Sequence, residues 1–493
     1  MPVAKLTDLE KVRRIRAHKR TRKNLLLLAL AAILVFFSVS LVKRAEDVDF
    51  ATLYSDLKVD LAGNGDGYPV PLPGGKILKL QNAGDNLLLL TDTNLYTYNM
   101  SGRQTLNAQH GMSNPLLAHT GDRTLLYDRG GTRYSLYSKS ALVHSGSMNF
   151  PLYVADISSN ENFALVTGSD QSLALVSVYS NPKKEPIFRY WSARMVIDVS
   201  LAENQNAMVI ACVDVQDGDY LSSISRFQFS IEKEMGRADL PGELILGIDW
   251  FNNNTIRVVT DKRAILFDND LKQIADYNFA GQKLERFFFR PDGGLLVVFG
   301  SYAEEKQLKA VLLNSRFKKQ GEYTTNYEIV TAKADANRLY IASSNKVEIV
   351  SHDGVLLTEL PLPNLYKVEP VGDQLFCADN TQISVSSVKQ LIAAQEEKDR
   401  QEEKDRQEEK DRQEEAERKA KEEEERKEKQ EEESSGQSSE EDLVPDPESS
   451  SLSSGMGDSD SEELFQEADG QDGSSQSGTD PSLENLSGES GQE

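Results

Sequence analysis

Residues 84–98 read Gly-Asp-Asn-Leu-Leu-Leu-Leu-Thr-Asp-Thr-Asn-Leu-Tyr-Thr-Tyr, and this order of turn, apolar strand, turn and alternating strand recurs along most of the chain. The opening Gly, Asp and Asn accept the left-handed or side-chain-bonded backbone of a tight turn. The four leucines place apolar side chains on both faces of one strand. Such a strand indicates a sheet that is covered on both sides.

The same unit is found eight times between residues 76 and 388. The first apolar markers of neighbouring units, from Leu87 to Leu375, lie 36 to 48 residues apart. A period of about 40 residues with about four short strands is typical of a β-propeller, in which radially packed blades cover both faces of each sheet. The sequence therefore predicts an all-β propeller of eight blades, with seven blades and an irregular element as the alternative. The central apolar strands are predicted at 87–90, 124–127, 163–166, 207–210, 256–259, 295–298, 339–342 and 375–378.

The ends of the repeat region indicate how the ring closes. Residues 71–73 and 361–363 both read Pro-Leu-Pro, before the first and the last unit respectively. The last unit has no outer strand of its own, because the chain is predicted to turn helical from Lys389 onward. We expect the segment around residues 68–70 to supply that strand and to join the ends of the ring.

A membrane segment is predicted near the start of the chain. Residues 1–24 are strongly basic, and residues 25–42 contain no charge. Eighteen helical residues span about 27 Å, close to a hydrocarbon core of about 30 Å. The basic block predicts that residues 1–24 stay in the cytoplasm, that residues 25–42 form a transmembrane signal-anchor helix, and that the rest is extracytoplasmic. A signal peptide cleaved near Ser38-Val39-Ser40 is the alternative, and it exports the same domain.

Composition divides the remainder into four parts. Residues 43–66 are predicted to be a juxtamembrane linker and residues 67–390 the propeller. Residues 391–433 contain repeats of Gln-Glu-Glu-Lys-Asp-Arg, whose acid-first i,i+4 pairs predict a solvated charged helix, with plain disorder as the alternative. The helix has no apolar heptad stripe, which argues against a coiled coil. Residues 434–493 are acidic and rich in Ser and Gly, and are predicted to be disordered.

The strong acidity belongs to the tail alone. Residues 395–493 hold 36 acidic and 12 basic residues, and this balance of −24 equals the net charge of the whole chain. The residues before Gln395 sum to zero, and the basic N-terminal block within them is balanced by a modest acidic excess in the rest. The two cysteines, Cys212 and Cys377, lie in apolar runs. They are interpreted as buried small side chains, with a disulfide between them as the alternative.

Catalytic motifs are absent from the sequence. The five histidines form no HExxH or paired zinc spacing, and no Gly-x-Ser-x-Gly elbow, P-loop or dinucleotide fingerprint occurs. No enzyme activity and no cofactor are therefore predicted. The basic N-terminal block has no interleaved aromatic residues, so nucleic-acid binding is not predicted either.

One set of residues is a candidate binding site. Three predicted innermost strands carry an aspartate between apolar neighbours, at Asp156, Asp198 and Asp249. If the apolar neighbours pack between blades, the carboxylates face the central channel, where they would bind a cation or a basic ligand. The alternative is that the inner strands carry polar residues only because the channel is wet.

The layout of a basic start, one apolar span, eight repeat units and a charged tail resembles the uncharacterised membrane-anchored β-propeller proteins of anaerobic Gram-positive bacteria. The repeat region is similar to the quinoprotein-like and WD40-like propeller superfamily, and the resemblance covers about residues 11–388. The repeated Trp-Asp and Gly-His marks of WD40 repeats are missing, as is a quinone-site motif. The resemblance therefore implies a propeller at the cell membrane without implying an activity.

The predicted function is that of a binding or scaffold module on a single-pass cell-membrane protein, because propellers present rigid faces of loops. Its predicted partners are the membrane and a protein or cell-envelope ligand of unknown identity. One alternative is an extracytoplasmic enzyme that acts on carbohydrate. The other is a sensor coupled to a membrane partner.

Overall fold

The computed structural model describes residues 50–435, except for residues 122, 181–184 and 302–304. The predicted basic segment 1–24, the predicted span 25–42 and most of the acidic tail lie outside the described residues. Among the helices of the described part, none has both the length and the apolar character needed to cross a membrane. Membrane anchoring therefore stays a prediction.

Eight four-stranded antiparallel sheets form an eight-bladed β-propeller, as predicted. In each of the first seven blades the strands pair in chain order, and the first strands contact one another from blade 2 to blade 5 and from blade 7 through blade 8 to blade 1. The strands of the first four blades are, in blade 1, β2 (Ile77–Ala83), β3 (Asn86–Thr91), β4 (Asn94–Asn99) and β5 (Gln104–Gln109); in blade 2, β6 (Pro115–Thr120), β7 (Arg123–Asp128), β8 (Arg133–Tyr137) and β9 (Leu142–Ser147); in blade 3, β10 (Leu152–Ile157), β11 (Asn162–Thr167), β12 (Ala174–Ser180) and β13 (Phe188–Ser192); and in blade 4, β14 (Met195–Leu201), β15 (Ala207–Gln216), β16 (Asp219–Gln228) and β17 (Ile231–Pro241).

The second half of the ring repeats this plan and ends on an incomplete blade. Its strands are, in blade 5, β18 (Ile245–Phe251), β19 (Thr255–Thr260), β20 (Arg263–Asp268) and β21 (Gln273–Asn278); in blade 6, β22 (Leu284–Phe289), β23 (Leu295–Ser301), β24 (Glu305–Leu313) and β25 (Lys319–Thr325); in blade 7, β26 (Thr331–Ala334), β27 (Arg338–Ala342), β28 (Lys346–Ser351) and β29 (Leu356–Pro361); and in blade 8, β30 (Leu365–Val371), β31 (Gln374–Asp379) and β32 (Gln382–Ser387).

The outer strand of blade 8 comes from the start of the propeller. The short strand β1 (Val70–Pro71) pairs antiparallel with β32, Val70 opposite Ile383. The ring of Tyr68 packs edge-on against Phe376 at a centroid distance of 5.1 Å, and its hydroxyl donates to the carbonyl of Asn99 in blade 1. The predicted closure by the segment around residues 68–70 is thus confirmed.

Replacing Tyr68 with alanine is expected to lower the free energy of unfolding by about 2 kcal/mol, because a half-buried ring that joins blades 8 and 1 is lost. The matched control is Tyr54→Ala, which removes a ring that is 69% exposed and should change stability by less than about 0.5 kcal/mol. Denaturant unfolding of both full-length variants measures the difference. Equal effects would contradict a closing role for Tyr68.

Each second strand is buried on both faces. All six residues of β11 are buried. Phe163 and Leu165 pack into the cluster that contains Leu125 of blade 2, whereas Ala164 and Val166 pack into the cluster that contains Met208 of blade 4. The two neighbouring blades therefore bury both faces of the strand, as predicted. Cys212 and Cys377 are buried and free, so the disulfide alternative is wrong.

The antiparallel order sorts the turns onto two faces. In every blade the turns between the first and second strands and between the third and fourth strands lie on one face, which we call the exit face. The remaining turns lie on the other, which we call the open face.

Both helices meet the propeller on the exit face. Helix α1 (Phe50–Leu61) lies within the segment predicted as a linker, and its Asp56 and Asp60 accept hydrogen bonds from Ser138 and Lys139 in the β8–β9 turn. Helix α2 (Val388–Ser435) begins directly after β32, where the backbone N–H of Val388 donates to the carbonyl of Asp373 in the β30–β31 turn. Helix α2 includes the charged repeats that predicted a helix.

Candidate functional site

The three predicted aspartates lie on the innermost strands of three consecutive blades. Asp156 is on β10, Asp198 on β14 and Asp249 on β18, and all three are half-buried. The charges of Asp198 and Asp249 both act on Asp156, although Asp249 belongs to a blade two positions away. The three carboxylates therefore share one side of the central channel.

Two of these carboxylates link neighbouring blades. The Oδ2 atom of Asp156 accepts a hydrogen bond of 2.8 Å from the backbone N–H of Leu201, and the Oδ2 atom of Asp198 accepts one of 2.9 Å from that of Ile248. Each bond runs from the inner strand of one blade to the inner strand of the next. Ser200 and Glu369 form equivalent bonds, accepting from the N–H groups of Trp250 and Asn82.

The third aspartate has a cationic partner. Arg257 on β19 donates to the Oδ2 atom of Asp249 from Nε at 2.9 Å and from Nη2 at 2.6 Å. Its Nη1 atom donates to the carbonyls of Arg290 and Gly294 in blade 6 at 2.8 and 2.9 Å. Arg257 is 3% exposed, so it joins blades 5 and 6 from the interior.

All three aspartates thus have partners within the fold, which is a structural role that the sequence did not reveal. Within the described part of the chain, no group of three or more His, Cys, Asp or Glu side chains is placed to hold a metal ion. The prediction that these aspartates bind a cation or a basic ligand stays a prediction.

The environment of Asp156 and Asp198 changes their acidity. The pKa of each carboxyl is raised to about 7, mainly by burial and also by neighbouring aspartate charge, while the bonds from Leu201 and Ile248 oppose the rise. The folded protein therefore takes up protons more readily than the unfolded chain, in which the pKa is near 3.8. Stability is consequently expected to fall as the pH rises from about 4 to about 7.

The variants Asp156→Asn and Asp198→Asn are expected to raise the free energy of unfolding at pH 8 by about 1–2 kcal/mol each, since the buried charge is gone and the amide oxygen keeps the N–H bond from the next blade, although Asp198→Asn loses the local bond from Val199. The gain should decline towards zero by pH 4. Thermal unfolding across this pH range measures it. Asp239→Asn, in an exposed ion pair with Arg237, is the control and should show little pH dependence. A gain that does not decline at low pH would contradict the account.

The opposite side of the channel is basic, and the sequence interpretation missed it. Lys79, Arg286, Lys333 and Lys367 come from the inner strands of blades 1, 6, 7 and 8, and His119 comes from blade 2. The charge of Lys333 acts on His119, three blades away around the ring, which places both side chains towards the shared channel. The channel is therefore acidic along blades 3–5 and basic along blades 6, 7, 8 and 1.

A sequence signal for this basic side does exist. Lys79, Arg286 and Lys367 each stand two residues after the first apolar residue of an inner strand, directly after an irregularity in the pairing. Asp198 occupies the same position in blade 4. The pattern apolar-x-charged at the start of an inner strand thus marks a residue that faces the channel.

One carboxylate lies among these cations. The Nζ atom of Lys333 is 3.0 Å from the Oε2 atom of Glu369. Burial, followed by the charge of Lys333, lowers the pKa of Lys79 to about 8. Burial, together with the charges of both lysines, lowers the pKa of His119 to about 4, so its imidazole is neutral near pH 7.

An apolar cleft adjoins the basic side at the open face, between the inner strands of blades 5, 6 and 7. Its volume is about 490 Å³, within the range of small-molecule sites. Arg286 and Phe288 line it, and the Nζ atom of Lys333 lies 4.0 Å from the centre of the Phe288 ring. The cleft and the basic side therefore share side chains, and together they can accept an apolar group next to an anionic one.

Comparisons with known proteins give one family and several distantly similar solved structures. A model of a family of unknown function, DUF5711, matches residues 75–368. No curated protein matches the chain.

Three solved structures illustrate the distant similarity. BamB from Moraxella catarrhalis is 11% identical, with 65% of this chain and 98% of that chain covered and a TM-score of 0.45. A structure described as the eukaryotic initiation factor is 14% identical, with 66% and 88% covered and a TM-score of 0.45. A quinohemoprotein alcohol dehydrogenase from Pseudomonas putida HK5 is 8% identical, with 65% and 75% covered and a TM-score of 0.43. None of these similarities assigns a ligand or an activity to this chain.

Proposed function

Since the chain belongs to DUF5711, a family of unknown function, we propose from its own features that it is a membrane-anchored extracytoplasmic binding module. The predicted span 25–42 anchors the propeller to the cell membrane. The exit face is turned towards the membrane, and the open face receives a protein or cell-envelope ligand.

The observation that carries this proposal is the position of the chain connections. Helices α1 and α2 both meet the propeller on the exit face. Seven residues separate the predicted span from α1, and even a fully extended chain of that length reaches only about 25 Å. An anchor at residues 25–42 would therefore hold the exit face close to the bilayer and leave the open face accessible.

The polar and apolar side chains of helix α1 are distributed in a way that fits this orientation. Its polar side chains, including Asp56 and Asp60, contact the propeller. Leu53, Leu57 and Leu61 follow one another at intervals of four residues and are each more than half exposed. Leu53 and Leu57 border a groove between the helix and the propeller, and the large exposed part of this row of leucines supports a position near the membrane interface.

The open face carries exposed apolar and aromatic side chains that are suited to binding a ligand. The β15–β16 hairpin carries Val215 and Tyr220, which are 63% and 55% exposed. Leu246 and Tyr366, at the starts of two inner strands, are also more than a third exposed. Loops and strand ends held by a rigid ring commonly carry binding residues.

Topology is tested by labelling single introduced cysteines in intact cells with a membrane-impermeant maleimide. Cys212 and Cys377 are buried, so the background should be low. A cysteine at Tyr220, on the propeller, is expected to react from outside. A cysteine at His18, in the basic segment, is expected to react only after lysis.

The labelling pattern distinguishes an uncleaved anchor, a cleaved signal peptide and a propeller that is not extracytoplasmic. Labelling of His18→Cys after lysis, in the same band as the propeller, supports the uncleaved anchor. Loss of the residue-18 label from a propeller that still reacts outside would instead identify a cleaved signal peptide. Protection of Tyr220→Cys in intact cells would contradict the extracytoplasmic location.

A further inference from the structure

The basic side of the channel is not neutralised within the described residues. Lys79, Arg286 and Lys367 have no ion-pair partner in the described part of the chain, and Glu369 forms its ion pair with Lys333 while its charge also acts on Lys79. The four cations therefore outnumber the nearby carboxylates, which are Glu369 and, in the wall of the cleft, Glu285, whose ion-pair partner is Lys283. Lys79 and Lys367 are half-buried, so bulk water screens their repulsion only in part.

The cations also act on one another. Burial, followed by the charges of Arg286 and Lys333, lowers the pKa of Lys367. Such repulsion inside a channel is unfavourable for the empty protein, and a bound anion would relieve it. Arg286 is the most accessible of the group, and its guanidinium is held by a hydrogen bond to the carbonyl of Val330. This bond fixes the guanidinium at the mouth of the cleft.

The wall next to these cations is apolar. Leu246, Leu284 and Phe287 line the cleft together with Arg286. Phe287 and Phe288 are only half-buried, although both are large apolar side chains. A ligand that carried only charge would leave this apolar surface in contact with water.

We propose that the cleft between blades 5, 6 and 7 binds an apolar ligand with one terminal anionic group, a carboxylate or a phosphate monoester. The anionic group lies against Arg286 and Lys367, and the apolar part lies against Leu246 and Phe287. This proposal names the ligand class of the open face and so rests on the proposed function. Its test on purified protein is independent of topology.

The test uses three probes with one apolar group: 4-phenylbutyrate, 4-phenylbutyl phosphate and the neutral 4-phenylbutanol. Binding to the full chain in detergent is measured by ligand-observed NMR, with inorganic phosphate as a fourth probe. At least one of the two organic anions is expected to bind saturably and at least tenfold more tightly than the alcohol. A tenfold difference in affinity between 4-phenylbutyrate and 4-phenylbutyl phosphate would show which anionic group the cleft prefers. Equal affinity would show that the cleft recognises the negative charge that both groups share.

The double variant Arg286→Gln/Lys367→Gln is expected to weaken anion binding at least tenfold while leaving the alcohol unchanged. Neither residue has an ion-pair partner among the described residues, so the fold should survive, and an unfolding midpoint that is unchanged or raised checks this. Lys318→Gln removes an exposed charge in the β24–β25 turn, on the exit face of blade 6, and should change nothing. Leu246→Ser should weaken all three organic probes.

Three results would overturn the proposal. They are the absence of saturable binding of both organic anions, undiminished anion binding by the double variant, and inorganic phosphate binding as tightly as the phenylbutyl monoester. None of them would alter the topology result. Conversely, a protected Tyr220→Cys would overturn the proposed location and leave the binding data standing.

Discussion

Replacing Arg257 with alanine is expected to lower the free energy of unfolding by about 3–5 kcal/mol. The guanidinium is almost fully buried and donates to Asp249 and to the carbonyls of Arg290 and Gly294. Its removal leaves the Asp249 carboxylate without its cationic partner, whereas the two carbonyls keep only their bonds from the backbone N–H groups of Gly293 and Arg290. The cation also lies 4.7 Å from the ring centre of Phe251, a contact that is lost as well.

Denaturant unfolding followed by tryptophan fluorescence measures this effect, since Trp250 is buried in the same blade. The matched control is Arg237→Ala. Arg237 forms an ion pair of 2.6 Å with Asp239, but both side chains are more than a third exposed, so its loss should cost less than about 1 kcal/mol. Similar losses for the two variants would show that Arg257 does not join blades 5 and 6.

Gly321→Ala is expected to cost about 3 kcal/mol, because the outer strand of blade 6 touches the β28–β29 turn of blade 7 at this residue. A β-carbon on Gly321 would lie 1.8 Å from the carbonyl oxygen of His352. That oxygen belongs to the backbone, so the two blades would have to separate to make room. Gly354 in the same turn approaches Glu322 in the same manner.

The control for this prediction is Gly236→Ala, on the outer strand of blade 4. The nearest heavy atom to its β-carbon would be 3.7 Å away, and its backbone lies outside the left-handed region. Alanine should therefore be neutral or slightly stabilising there, since it restricts the unfolded chain. Unfolding midpoints that do not distinguish the two variants would contradict the close approach of blades 6 and 7.

The blades could be predicted because their determinants are local. A four-residue apolar strand such as 87–90 after a Gly-Asp-Asn turn is predictable from its own sequence. Eight copies of this unit at a regular period are compatible with few folds other than a propeller. Ring closure was also predictable, because blade 8 has no fourth strand before the charged helix begins. The inner-strand positions of Asp156, Asp198 and Asp249 followed from their apolar neighbours.

The partners of these side chains were not predictable, because they depend on blades far apart in sequence. Asp156 meets the backbone N–H of Leu201, and Glu369 meets that of Asn82, 287 residues away. The basic side of the channel has the same origin, since Lys79 and Lys333 become neighbours only when the ring closes. Interactions between residues so far apart in the chain produce no repeating pattern in the sequence.

Helix α1 was missed for a different reason. Its leucines at positions 53, 57 and 61 stay more than half exposed, whereas Asp56 and Asp60 attach it to the propeller. A helix with an apolar stripe is normally placed with that stripe on the core. Here the polar side chains make the contacts, so the pattern within the predicted linker 43–66 did not indicate a docked helix.

The central claim, that the open face is the binding face, is tested most directly by site-specific photocrosslinking of the full-length protein in living cells. A benzophenone amino acid is placed at Leu246 or Tyr366 on the open face, and at Leu142, which is 51% exposed, on the exit face as the control. A reproducible crosslinked adduct is expected from both open-face positions, and none is expected from position 142. An adduct from position 142, with none from positions 246 and 366, would contradict it.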